Sequence, residues 1–169
     1  AGSNSTLDFT GSTLNTVVVD GTLNLNGTDA TGQALVTGDA NSTVNLSFPN
    51  GASGTGSGKF NGNFFTISFT DPTGVKITNA TEPTMANGIF QNPTAGGILL
   101  NLNDATNLPS TLQNLTFNGN PGADINVSAN ANTNPAVIFS NYSGTLADDA
   151  TVAEANDSDN GDPGDKLIW

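Results

Sequence analysis

Seven carboxylates fall between Asp148 and Asp165, the densest concentration of chemistry-bearing groups in this chain. Within them, Asp157-Ser158-Asp159-Asn160-Gly161-Asp162 alternates oxygen-bearing side chains ahead of a glycine, an order suited to wrapping a hard cation such as calcium. Gly161 stands at the fifth position of that run where a helix-flanked calcium loop needs glycine at the sixth, and no glutamate occupies the twelfth. A site there must therefore combine Asp157, Asp159, Asp162 and Asp165 with backbone carbonyls, or borrow Glu154. Like charges held close together repel unless a cation or protons neutralise them, so calcium is the candidate cofactor of the 148–165 acidic loop, the alternative being a solvated acidic loop without metal.

Other chemistry is sparse. The chain has no histidine, cysteine or arginine, which removes histidine bases, thiolate nucleophiles, disulfides and thiolate metal sites. Glu82 and Glu154 are the only glutamates, and neither lies in an informative motif. Asp20, Asp71 and Asp104 sit beside turn residues that account for them without catalysis. Gly54-x-Gly56-x-Gly58-Lys59 lacks the Ser/Thr that a phosphate loop places after its lysine. No catalytic residue is assigned, and the chain is expected not to be an enzyme. Sequons begin at Asn4, Asn26, Asn41, Asn45, Asn79, Asn114, Asn126, Asn141 and Asn156, which are candidate glycosylation sites.

A net charge of −12 opposes binding to nucleic acid or an anionic membrane, because phosphates must be met by cations. Lys59, Lys76 and Lys166 are too scattered to form a basic patch, and no apolar run reaches bilayer length. The expected location is extracellular or at the cell surface, with an export signal already removed ahead of Ala1.

The elements that must carry these groups read as strands. Short apolar runs alternate with Gly, Asn, Asp and Pro turns, and no 3.6-residue apolar stripe recurs. Asp20-Gly21 predicts a hairpin over Thr16–Asn26, and Asp71-Pro72-Thr73-Gly74 predicts a second one ending in Val75-Lys76-Ile77. Phe64–Phe69 reads as the clearest strand, with Phe65, Ile67 and Phe69 on one face. Leu112, Leu115 and Phe117 all face inward only if a bulge lies between the first two. The 169 residues suit a single all-β domain: a β-sandwich or jelly roll, with a β-solenoid as the alternative. The absence of a fixed repeat argues for the sandwich.

In composition and strand rhythm the chain resembles β-rich prokaryotic extracellular filament or cell-surface structural proteins. That resemblance implies a subunit that meets identical copies in a homopolymer by donor-strand complementation. Residues 1–10, anchored by Leu7 and Phe9, are the candidate donor strand, and Leu167–Trp169 is a second. The alternative function is a monomeric adhesion or carbohydrate-binding module with glycans as partners.

Overall fold

The computed structural model describes residues 5–11, 14–49, 57–78, 82–147, 157–158 and 166–169. Its described residues form strands and turns with no helix, and every strand pairing is parallel. The chain winds as a β-solenoid of about five turns, the alternative expectation, and not as a sandwich. Each coil contributes a strand to each of three faces. The first coil holds β1 (Thr6–Asp8), β2 (Asn15–Val18) and β3 (Thr22–Asn26). The second holds β4 (Ala34–Thr37), β5 (Val44–Phe48) and the first half of β6 (Lys59–Ser68). β7 (Thr70–Ile77), β8 (Thr84–Gln91), β9 (Ile98–Asn101) and β10 (Thr111–Asn118) carry the winding forward. β11 (Ile125–Ser128), β12 (Val137–Ser140) and the short β13 (Leu167–Ile168) follow.

β6, β8 and β10 each serve two faces. Their first halves continue the face begun by β3, and their second halves continue the face begun by β1 and β4. The bend within each is one residue in the left-handed region: Phe64 at φ 51°, Asn87 at 52° and Asn114 at 54°, with Asn141 at 54° just after β12. Asparagine tolerates that conformation better than most residues, which suits it to a stacked corner. Its side chains also tie the coils together. Asn87 Nδ2 donates to Asn63 Oδ1 at 2.8 Å, and Asn114 Nδ2 donates to Asn87 Oδ1 at 2.9 Å. The bend at Asn114 brings both Leu112 and Leu115 inside, as the expected irregularity requires.

The interior mixes aliphatic and aromatic side chains. Inward rows run in register from coil to coil, such as Val17, Leu46, Val75, Leu100 and Val127. Rings form a continuous chain of contacts along the axis: Phe48, Phe60, Phe65, Phe90, Phe117, Phe139 and Trp169, with centroids 4.5 to 6.0 Å apart. Gly88 stacks on Phe65 because a Cβ there would stand 2.2 Å from the ring.

Of the two expected hairpins, one is replaced by a corner and the other by a bulge within a strand. Asp20-Gly21 separates β2 from β3, and each pairs with a later coil: Val18 lies beside Ser47 and Leu23 beside Phe60. Asp71–Gly74 lies inside β7 as a bulge, where the register against β5 jumps between Val44–Thr70 and Leu46–Val75. The Asp71 carboxylate organises that bulge, accepting from Asn45 Nδ2 at 2.8 Å, Thr73 N at 3.0 Å and Thr73 Oγ1 at 2.6 Å. Phe69 also departs from expectation. It has φ 57°, lies between β6 and β7, and is half-buried at a corner away from the core row of Phe65 and Ile67.

Candidate functional site

Three regions bear on function, two of which carry groups singled out from the sequence. The first is the opening coil. Leu7 and Phe9 are not a free strand: β1 pairs with β4 in the same chain, Leu7 beside Val36, and Phe9 N donates to Thr37 O at 2.8 Å. Leu7 heads an inward row that continues through Val36 and Ile67, yet it is 41% exposed, because no described coil lies above it. Leu14 and Val18 are 52% and 56% exposed on the same coil, and Phe9, Val17, Val19 and Leu23 are only partly buried against the core. Among the described residues, β1, β2 and β3 each pair on one edge alone. At the opposite end β13 (Leu167–Ile168) likewise pairs on one edge alone among the described residues, with Ile168 43% exposed, but the inward row is covered. There β13 pairs with β12, and Trp169 covers the last inward ring, stacked on Phe139 at 4.5 Å. The second candidate donor, Leu167–Trp169, is thus engaged within its own chain.

The second region is the acidic segment. Asp157 accepts a 2.6 Å hydrogen bond at Oδ2 from the Trp169 indole N–H, and so holds the end ring in place. Asp159, Asp162, Asp165 and Glu154 lie outside the described residues, and no group of three or more metal-binding side chains occurs among those described. Asp104, by contrast, is fully explained. The amides of Asn132 (2.9 Å) and Asn130 (3.0 Å) both donate to its Oδ1, and these bonds hold its pKa below the ordinary aspartate value.

The third region was not foreseen. At the corner between the β4 face and the β5 face, the second coil crosses with residues 38–43, the fourth with 92–97 and the fifth with 119–124, six residues each. The third coil crosses with Phe69 alone. The missing loop leaves a cleft of about 890 Å3 with Phe69 on its floor and Asp39, Thr43, Asn92 and Pro93 among its walls. Its walls are hydrogen-bonded. Asp39 and Ser42 exchange backbone hydrogen bonds at 3.0 and 3.1 Å, and Asp124 accepts from Gly96 N at 2.8 Å and Asn120 N at 2.7 Å. Strand alternation gave no warning of this site, since Phe69 follows Phe65 and Ile67 in phase.

The sequons divide by position. Asn26, Asn41, Asn114 and Asn141 are exposed and Asn45 is partly buried. Asn126 is 0% exposed, and its Nδ2 donates to Leu146 O at 2.8 Å, so the folded chain offers no access to it. Asn4, Asn79 and Asn156 lie outside the described residues. No protein-family profile matches the chain, and no curated protein or solved structure matches it.

Proposed function

We propose that this chain is a structural subunit of an extracellular filament or surface layer, joined to its neighbours by β-strand addition at the first coil. One observation carries the reading: among the described residues, β1, β2 and β3 have unpaired edges above an apolar interior that the rest of the solenoid buries. Exposed strand edges template pairing with another chain, and proteins that remain single usually blunt them with charge, proline or a cover. Here Leu7, at the head of the inward row through Val36 and Ile67, is 41% exposed at that edge. Strand addition in this form keeps β1 in its own coil and adds a neighbour above it, so no strand has to be exchanged. The same reading places the chain outside the cell, with glycans on exposed sequons and calcium on the acidic segment as accessories. Intact-mass and metal-content measurements on native material would register both.

Sedimentation velocity and electron microscopy of the purified chain are expected to show concentration-dependent assembly. Leu7→Lys, which puts a charge over the open end of the core, should return it to monomers with an unchanged circular dichroism spectrum. A wild-type chain that stays monomeric at high concentration would remove the basis of the proposal.

A further inference from the structure

We propose that the cleft over Phe69 binds a neutral glycan, with one sugar ring lying on the Phe69 ring and the chain following the solenoid axis. The inference is independent of the first coil and of assembly.

Phe69 is an expensive choice for its position. A bulky residue in the left-handed region is strained by about 1–2 kcal/mol, and the equivalent place in the fourth coil holds Asn92 at φ 50°. That strain leaves the ring outside the core cluster. Phe69 is absent from the hydrophobic cluster and makes no ring contact with another described aromatic side chain, unlike Phe65, Phe90 and Phe117. Strain of this kind persists where the surrounding structure holds it for another purpose, and ligand sites are a frequent one. The cost delivers a half-buried aromatic face at the bottom of a preformed concavity.

The walls say what would lie on that face. Asn92 and Asn120 are exposed, and their side-chain amides make no hydrogen bond within the described chain, leaving donors and acceptors at the rim. Asp39 adds an acceptor whose described bond is from Asn41 N at 2.7 Å. An aromatic floor ringed by amide and carboxylate groups suits a ligand with an apolar C–H face and hydroxyl edges, which is the chemistry of a pyranose. Coils repeat about every 4.8 Å, so the stretch from the second coil to the fifth is about 14 Å, long enough for several sugar units. Charge selects among glycans. With Asp39 and Asp124 at the cleft and −12 over the chain, a uronate or sulfated polymer would be repelled.

The test is a backbone amide NMR titration with cello-, malto-, manno- and xylohexaose, and with hexagalacturonate as the acidic counterpart. At least one neutral hexaose should shift residues 38–43, Phe69 and 92–95 and saturate, and hexagalacturonate should not. Phe69→Asn installs the residue type found at the same corner in the fourth coil. It should leave the fold at least as stable while weakening binding by about tenfold or more, the scale of one lost aromatic contact. No saturable shifts at millimolar hexaose would overturn the proposal. Unchanged affinity in Phe69→Asn, or tighter binding of the galacturonate, would overturn it as well.

Discussion

Phe90→Ala is expected to lower the free energy of unfolding by about 3–5 kcal/mol, measured by chemical denaturation. Phe90 is fully buried, with the Phe65 ring 5.5 Å away on one side and the Phe117 ring 5.6 Å away on the other. Truncation removes its buried surface and leaves a cavity that neighbouring rings cannot close, because each is fixed in its own coil. A domain of this size commonly has about 5–15 kcal/mol in total, so the loss is a large share. The position matters as much as the size. Each coil rests only on its neighbours, and a void in the middle of the ring chain weakens the coupling between the two halves. Amide exchange should therefore rise in β8 and β10 before it rises in β5. Phe69, equally large but outside the core cluster, should show no such penalty when replaced.

A second large effect is expected at Gly74, and its twin at Gly96 isolates the cause. Both have left-handed φ values, 71° and 74°. A Cβ at Gly96 would meet nothing within 4 Å, whereas one at Gly74 would stand 2.2 Å from the Ile98 carbonyl oxygen. Gly96→Ala should therefore cost about 1–2 kcal/mol, the conformational penalty alone. Gly74→Ala adds overlap with backbone of the next coil, which cannot move aside without opening the β7–β9 pairing. About 1–3 kcal/mol beyond the Gly96 value is expected. Equal losses at the two positions in thermal unfolding would mean that β9 is not packed against the Asp71–Gly74 bulge.

Alternation found the strands because it reports which residues face a core, and Val44–Phe48 is inward at every second position as its sequence suggests. It says nothing about which strand lies alongside, and a hairpin sandwich and a parallel solenoid bury the same residues. The repeat that separates them is blurred by coils of unequal length. Val36 lies beside Ile67, 31 residues on, Phe65 beside Gly88, 23 on, and Leu112 beside Phe139, 27 on. A trace of the period was legible in Asn87, Asn114 and Asn141, spaced 27 apart, each at a left-handed corner. The first coil was also opaque. Leu7 and Val17 have the same polar-apolar setting as residues of inner coils, and they differ in having no described coil above them. Phe69 escaped detection because the corner falls between two in-phase strands, and a residue's position relative to a bend is not part of a two-residue period.

Cysteine pairs placed in this cysteine-free chain test the parallel winding most directly. A Val18→Cys, Ser47→Cys variant joins residues that neighbour each other across β2 and β5 and should form an intramolecular disulfide under mild oxidation. A Val18→Cys, Leu23→Cys variant joins residues that only a hairpin at Asp20-Gly21 would bring together, and it should remain reduced within the monomer. Closure of the second pair with failure of the first would contradict the solenoid.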